Sequence, residues 1–474
     1  MPISDPAYQP DPAFSRLGAE FADPVEPADF PMQRLRFRND RAAASIGLAG
    51  LTEAQWLAHF ARFEPVPDNQ PGPLAMRYHG HQFRSYNPDL GDGRGFLFAQ
   101  QHEIGSGRLL DLATKGSGRT PWSRSGDGRL TLKGGMREVL AAAMLEALGV
   151  PTSRAFALVE TGEALQRGDE PSPTRSAVLT RLGHSHIRFG TFQRLAYIDR
   201  PDLMRVLIGH IGEAYYPELA ALDEPARPAA LLALVTQATA RLTAGWMAAG
   251  FVHGVLNTDN MNITGESFDY GPYRFLPRND PNFVAAYFDQ NGLYGFARQP
   301  EAAFWNLQQL AGSLTLVSES DPLVAALNGF EKAYGAALAE AMIRRLGLIS
   351  RGRDADIILV NLAFKALADG GETLRWEPFF HDWFGGLASE ARAMAGPRAG
   401  LYASPAFTTF RSELAAFEPD RPERLAGEVF ATAEPEELLI DEIEAIWAAI
   451  DQTDDWVPFE SKLARIEARR AALA

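Results

Sequence analysis

The 474-residue sequence contains no cysteine. This absence excludes disulfides, thiolate nucleophiles, and the zinc and iron–sulfur sites that depend on cysteine ligands. Positive charge is also scarce, because 45 Lys and Arg residues stand against 60 Asp and Glu, which gives a net charge of −15. A groove for a long nucleic acid needs a basic stripe that neutralises phosphates, so we predict no nucleic-acid partner.

Long apolar runs are missing as well, since no stretch approaches the roughly 18–20 apolar residues that cross a membrane. The segment 1–30 is rich in proline and acidic residues. A secretory signal needs a basic start and an apolar middle, and a mitochondrial presequence is rich in arginine. We therefore predict a cytoplasmic protein with no membrane partner. An apolar content of 46% still allows a large core or two lobes.

The residue patterns divide the chain into three predicted regions. Residues 1–70 form an irregular arm and a short helix at Leu51–Phe63, residues 71–188 combine strands with one main helix, and residues 189–474 are mostly helical, with a helical C-terminal extension. The predicted strands are Phe96–Ala99, Leu109–Lys115, Arg154–Glu160 and Ser176–Arg181, in a sheet of about five, and the main helix is Met136–Leu148. The predicted later helices are Asp202–Tyr215, Pro228–Gly250, Ala303–Leu316, Pro322–Leu346, Asp354–Ala368, Pro435–Ile450 and a solvated Pro458–Leu473, with a loop-rich insertion at Trp376–Leu401.

The stretch His253–Gly271 matches a protein-kinase catalytic loop from which one part is missing. His253, Leu256 and Asn260 fall at the offsets of His-Arg-Asp-Leu-x-x-x-Asn, and Asp269-Tyr270-Gly271 stands where Asp-Phe-Gly follows. The position of the kinase base holds Val255, which cannot accept a proton. The sequence therefore keeps the metal-binding parts of such a site and lacks its usual base.

Lys115 and Glu138 fit the same pattern. A strand that ends in Lys, then a loop and a helix with an early Glu, is the kinase arrangement in which the Lys holds nucleotide phosphates and the Glu holds the Lys. The alternative is a solvated Lys115 and a Glu138 that interacts with the helix dipole. Together with the catalytic loop, the pair predicts an α+β, two-lobed protein-kinase-like fold. It has a small mixed N-lobe with a β-sheet and one main helix, and a larger, mostly helical C-lobe.

Two further groups of residues suit a nucleotide. The run Gly91-x-Gly93-x-Gly95 precedes a strand, so its backbone N–H groups can approach phosphates while Arg94 adds charge; a plain tight hairpin is the alternative. Arg181 and Arg188 lie seven residues apart across a glycine-containing loop and can converge on one anion.

Asn260 and Asp269 are the natural pair for Mg²⁺, with Asp259 as an added carboxylate, although Asn257 and Asn260 can instead cap a turn. The histidine pairs at 79/81 and 184/186 lack a nearby third ligand, so a metal role for them is disfavoured.

Five segments read together resemble the selenoprotein O (YdiU) family over most of the chain. They are NPDLGDGRGFLFAQ, DLATKGSGRTPWSR, DGRLTLKGGMRE, RFGTFQ and HGVLNTDNMNITGESFDYGP. The resemblance implies a pseudokinase that acts as a protein adenylyltransferase: it binds ATP flipped relative to kinases and transfers AMP to Ser, Thr or Tyr hydroxyls. Mg²⁺ or Mn²⁺ would be the cofactor, and UTP is a possible second nucleotide. Family members commonly carry a selenocysteine or cysteine near the C-terminus, so control through a thiol is not expected in this cysteine-free chain.

The resemblance also assigns roles residue by residue. Asp259 would be the proton acceptor, Asn260 and Asp269 the metal ligands, and Glu138 the partner of Lys115. The nucleotide would be held by Gly91, Gly93, Arg94, Lys115, Asp127, Gly128, Arg181 and Arg188. A carboxylate repels phosphate, so Asp127 either orients an arginine or contacts another part of the nucleotide. Two other functions stay open: γ-phosphoryl transfer with Asp259 as base, and nucleotide binding without catalysis.

Overall fold

The computed structural model describes residues 5–474; the first four residues of the predicted arm lie outside this range. The described chain has twelve strands: β1 (Ala22–Pro24), β2 (Arg34–Arg38), β3 (Leu74–Met76), β4 (Gly80–Gln82), β5 (Ser85–Asn87), β6 (Leu97–His102), β7 (Leu109–Lys115), β8 (Leu130–Thr131), β9 (Arg154–Leu165), β10 (Thr174–Gly183), β11 (Phe251–Val252) and β12 (Arg274–Phe275). Its α-helices are α1 (Asp40–Ala44), α2 (Glu53–Phe60), α3 (Leu132–Ala147), α4 (Phe189–Tyr197), α5 (Pro201–Ala214), α6 (Arg227–Ala248), α7 (Gln299–Leu314), α8 (Ser320–Leu327), α9 (Phe330–Arg345), α10 (Arg353–Asp369), α11 (Trp376–Asp382), α12 (Glu390–Ala395), α13 (Pro405–Leu414), α14 (Ile440–Thr453) and α15 (Val457–Leu473).

Eight strands form one antiparallel sheet in the order β1-β3-β6-β7-β10-β9-β2, with β8 paired to β10. The prediction of about five strands was therefore too small. The N-terminal arm supplies the two edge strands, β1 and β2, and these strands, like β3 and β8, are only two to five residues long. So short a segment shows little alternation of apolar and polar side chains. The mixed α and β composition is confirmed.

The unit β7–α3 positions much of the site. Strand β7 has the predicted bounds, and all seven of its residues are buried. Helix α3 begins at Leu132, four residues before the predicted start, because the side chain of Thr131 accepts a hydrogen bond from the backbone N–H of Gly134. Gly135 lies inside the helix because a Cβ there would come within 2.5 Å of Leu158 on β9. The absence of a side chain lets α3 pack closely on the sheet.

The later helices follow their predicted positions with three corrections. The predicted helix Pro322–Leu346 is two helices, α8 and α9, which are separated at Asn328-Gly329. The predicted insertion Trp376–Leu401 contains α11 and α12, and neither α4 nor α13 was predicted as a separate helix. Helix α15 is not simply solvated, because it buries Phe459 and Ile466 in the main core.

One apolar cluster connects the sheet to the helices. It includes residues of α3, β9, α6 and α7, such as Leu140, Leu158, Leu231 and Leu310. A shared core fixes the sheet relative to the helices and so holds the cleft between them. Within residues 5–474, no helix combines the length and the apolar character that crossing a membrane requires.

Candidate active site

A cavity of about 640 Å³ lies where the sheet meets the loop that follows β11. Ten of the predicted site residues line it: Gly91, Gly93, Arg94, Lys115, Asp127, Gly128, Arg181, Arg188, Asp259 and Asp269. The other two adjoin it, since Asn260 follows Asp259 and Glu138 contacts Lys115. A second cavity of about 740 Å³ lies elsewhere, between α9 and the end of α15, and its lining includes Arg344, Arg353 and Arg424.

Lys115 connects the sheet, α3 and the loop His253–Gly271. It ends β7 and is only 5% exposed. Its Nζ donates to Oε1 of Glu138, as predicted from the spacing, and to Oδ1 of Asp269 over 2.6 Å. A buried ammonium held by two carboxylates keeps a fixed position, which suits the binding of a phosphate oxygen.

Asp269 is surrounded by positive charge. Besides Lys115, it contacts Nη1 of Arg181 at 2.9 Å and Nη1 of Arg188 at 3.5 Å. Burial acts to raise the pKa of Asp269, but Lys115, Arg181 and Arg188 outweigh burial and hold that pKa well below the ordinary value. The backbone at Asp269 has φ +66°, in the left-handed region. The carboxylate is therefore ionised at neutral pH and paired with these three basic side chains.

The loop His253–Gly271 is stabilised by hydrogen bonds between its own residues. His253 is buried, and burial lowers its pKa, so its Nε2 donates as a neutral imidazole to the carbonyl oxygen of Phe268 over 2.9 Å. This bond connects the start of the loop to the residue before Asp269. At the other end, Nδ2 of Asn260 donates to the carbonyl oxygen of Val255 over 3.0 Å. That bond leaves Oδ1 of Asn260 as the side-chain acceptor.

Asp259 lies in the 3₁₀ turn Thr258–Asn260 and is 9% exposed. Burial raises its pKa to about 6, against the opposing effect of the Arg188 guanidinium. Among the described residues, no group forms a hydrogen bond with its Oδ1. A carboxylate with a pKa near neutrality and a free oxygen can take a proton from a substrate.

The glycine run packs against the long loop that follows β7. A Cβ at Gly91 would lie 2.3 Å from the Trp122 ring, and one at Gly93 would lie 2.9 Å from the Trp122 carbonyl oxygen. At Gly95 the nearest atom would be the carbonyl oxygen of Thr114, 2.0 Å away. The three glycines therefore bring two segments of the cavity wall together, in addition to any role with phosphate.

Asp127 holds an arginine, one of the two alternatives that the sequence left open. Its carboxylate accepts bonds from Nη1 and Nη2 of Arg167 at 2.7 and 3.1 Å. Although burial opposes the change, these bonds and the Arg129 backbone N–H lower the pKa of Asp127. Gly128 has φ +71°, and a Cβ there would collide with the Gly118 backbone.

The sequence did not identify several lining residues, namely Tyr78, Asp92, Trp122, Arg124 and Arg167. Asp92 contacts Arg188 at 3.4 Å and accepts the backbone N–H of Met76 at 3.0 Å. Because Asp92 stands between Gly91 and Gly93, its position in the sequence could have identified it as a lining residue. Arg167 follows β9 in a polar loop, where nothing in the local pattern marks it.

Two of the four histidines considered for metal binding contact uncharged protein groups. Nδ1 of His79 contacts the hydroxyl of Tyr86, and Nδ1 of His81 contacts Gln193. Across residues 5–474, no three His, Asp or Glu side chains are grouped so that they could hold a metal ion.

The cavity is basic in an acidic protein. Seven Lys and Arg side chains and four Asp side chains line it, whereas the whole chain carries a net charge of −15. Such a local excess of positive charge attracts an anionic ligand.

Comparison with known proteins agrees with this chemistry. The family described as "Protein adenylyltransferase SelO" matches residues 6–467. The "Protein nucleotidyltransferase YdiU" of Synechococcus elongatus is 44% identical over 501 residues, which cover 98% of this chain and 96% of the relative. The proteins of that name from Gloeobacter violaceus and Pseudomonas putida are 45% and 41% identical, over 96% and 76% of this chain and 94% and 72% of their own lengths. The chain therefore belongs to the protein adenylyltransferase SelO family and is an enzyme of the nucleotidyltransferase class.

Proposed function

We propose that this enzyme transfers AMP from ATP to Ser, Thr or Tyr hydroxyls of proteins in a metal-dependent reaction. The observation that supports this proposal most is the basic cavity beside Asp259, a buried carboxylate with a raised pKa. The sheet and its main helix α3 form the small lobe of a kinase-like fold, and the helices from α4 onward form the large lobe.

ATP binds in the flipped orientation, with its terminal phosphates under the sheet. Arg94, Lys115, Arg181 and Arg188 all line the cavity and supply positive charge. The α-phosphorus then lies toward the catalytic loop. This pose explains why the kinase base position can hold Val255, since the γ-phosphate is no longer the group that reacts.

Asn260 and Asp269 fit a divalent metal ion. Asp269 is ionised, and Asn260 keeps a free amide oxygen because its Nδ2 is bonded to Val255. Carboxylate and amide oxygens are hard ligands that suit Mg²⁺ and Mn²⁺, with phosphate oxygens or water as further ligands. When bound, the ion neutralises charge on the phosphates and polarises the reacting group.

Asp259 is the general base of the reaction. It takes the proton of the substrate hydroxyl while the hydroxyl oxygen forms a bond to the α-phosphorus. The bond between the α-phosphorus and the oxygen that bridges to the β-phosphorus breaks, and pyrophosphate leaves. Lys115 and Arg188 stabilise the negative charge that develops on the phosphate oxygens.

Labelled ATP tests this reaction directly. The protein is incubated with a mixture of candidate protein substrates and with ATP labelled on either the α- or the γ-phosphate. We expect protein-bound label from the α-position only, with the γ-label released as pyrophosphate. Protein label from the γ-position alone would instead indicate phosphoryl transfer. No transfer of either label, with nucleotide binding intact, would indicate a non-catalytic binding module.

A further inference from the structure

The carboxylate of Asp259 lacks the hydrogen bonds that usually fix a catalytic side chain. No described group forms a hydrogen bond with its Oδ1, and Arg188 donates to its backbone carbonyl oxygen, over 2.7 Å. Its position must therefore come from the residues next to it in the chain. Thr258 and Asn257, which precede it, are both held by the β4–β5 hairpin.

Thr258 belongs to a closed triangle of hydrogen bonds, each 2.7 Å long. The backbone N–H of His81 donates to Oγ1 of Thr258, Oγ1 donates to Oε1 of Gln193, and Nε2 of Gln193 donates to Nδ1 of His81. The directions are fixed because Oγ1 already accepts the backbone N–H and has one proton to give. The triangle ties the hairpin and α4 to the residue beside Asp259.

Asn257 is held from two further directions. Its Oδ1 accepts the backbone N–H of Phe83 at 3.0 Å and the hydroxyl of Tyr294 at 2.8 Å. The hairpin also touches the base itself, since a Cβ at Gly80 would lie 3.2 Å from Oδ1 of Asp259. The hairpin therefore contributes one partner to Thr258 and one to Asn257, while Gln193 of α4, Tyr294 and Arg188 supply the other contacts.

Burial restricts the side-chain conformations of Thr258, Gln193 and Asn257. Thr258 is fully buried, and Gln193 and Asn257 are each 4% exposed. A buried polar group without a partner is costly, so each of these side chains is confined to the arrangement that satisfies it. The 3₁₀ turn that carries Asp259 is therefore held in one position as well.

We propose that Thr258 is a positioning residue for Asp259 and acts through a clamp formed by Gln193 of α4 and His81 of β4. The inference rests on the proposed function, in which Asp259 must meet a substrate hydroxyl. A displacement of about 1 Å in a catalytic group can lower the rate about 100-fold. The hydroxyl group of Thr258, and not its methyl group, makes the hydrogen bonds that fix the position of Asp259.

Two substitutions at Thr258 test this role by steady-state kinetics with α-labelled ATP. Thr258→Val keeps the shape and removes the hydroxyl, and we expect kcat to fall about 30- to 100-fold while KM for ATP stays within about twofold. Thr258→Ser keeps the hydroxyl and is expected to restore kcat to within about threefold of wild type. The matched control is Thr243→Val, at an equally buried threonine of α6, which should leave kcat unchanged.

A kcat for Thr258→Val within threefold of wild type would overturn the proposal, as would equal losses in Thr258→Val and Thr258→Ser. Amide hydrogen exchange supplies a readout that needs no activity. Thr258→Val is expected to speed exchange at the His81 N–H at least tenfold, and Thr243→Val is not; unchanged exchange would also overturn the clamp. If wild type transfers no AMP, the proposed function fails, and the exchange measurement still decides whether the clamp exists.

Discussion

Asp259 and Asp382 are both buried, at 9% and 4% exposure, but their carboxylates are held very differently. Asp382 on α11 accepts Nε and Nη2 of Arg398 at 2.7 and 3.0 Å and the hydroxyl of Tyr402 at 2.5 Å. Arg398 in turn contacts Glu434 at 2.7 Å. Asp259 has one oxygen to which no group in residues 5–474 forms a hydrogen bond.

The difference separates a carboxylate that stabilises the fold from one that acts as the base in the proposed reaction. The bonds to Asp382 offset the loss of its hydration, because a bidentate guanidinium pair is among the strongest charged contacts. Arg188 donates to the backbone oxygen of Asp259 instead of to its carboxylate, so burial prevails and the pKa rises to about 6. A buried charge without such partners lowers stability, and proteins keep it where function requires it.

The largest expected effect is on catalysis. Asp259→Asn keeps the size of the side chain but removes the proton acceptor, so we expect transfer of α-labelled AMP to fall by about 10²- to 10⁴-fold. Asp382→Asn, assayed on the folded fraction, should leave kcat unchanged. An Asp259→Asn variant with full kcat would refute the role of Asp259 as base.

Stability should respond in the opposite way to the same pair of variants. Asp382→Asn leaves Arg398 without its buried partner, and we expect the free energy of unfolding to fall by about 3–5 kcal/mol. Asp259→Asn removes a buried charge that lacks partners, and we expect a gain of about 3 kcal/mol at pH 8, since each pKa unit corresponds to about 1.4 kcal/mol. Urea unfolding followed by circular dichroism measures both.

The stability gain from Asp259→Asn should depend on pH, and the direction of that dependence follows from the pKa of Asp259. The pKa of Asp259 is about 6 in the folded protein against the ordinary value of 3.8. Wild type therefore loses stability as pH rises from about 4 to 6, while the Asn variant does not titrate there. The gain should shrink to roughly half at pH 5. A gain that is the same at pH 5 and pH 8, or a loss at pH 8, would mean that Asp259 is not held as an unpaired charge.

The same contrast shows what could be predicted from sequence. The unit β7–α3 was predictable because its apolar residues alternate along β7 and then follow helical spacing along α3. The contact of Lys115 with Glu138 followed from that order of elements. The pattern drew attention to Asp259 because a carboxylate precedes Asn260 while the kinase base position holds Val255, and the family resemblance supplied its predicted role as the base.

Other features had no readable local pattern. The run Trp376–Trp383 was predicted to be part of a loop-rich insertion, yet Trp376, Phe379, Phe380 and Trp383 are all buried in one core cluster. Burial on every side of a short helix removes the polar face that marks a helix in sequence. Arg167 and the triangle around Thr258 depend on contacts between residues far apart in the chain, 40 residues for Arg167 with Asp127 and 177 for Thr258 with His81.

The smallest expected effect, and the one most specific to Asp259, is in the pH–rate profile. With ATP and metal saturating, kcat should fall about tenfold per pH unit below an apparent pKa near 6, because the base must be deprotonated. Asp382→Asn should give the same profile, since its carboxylate takes no part in the reaction. A base with the ordinary aspartate pKa would keep kcat level down to about pH 5. A level kcat between pH 5 and 7 would therefore show that the lack of hydrogen bonds to the Asp259 carboxylate does not raise the pKa that governs catalysis.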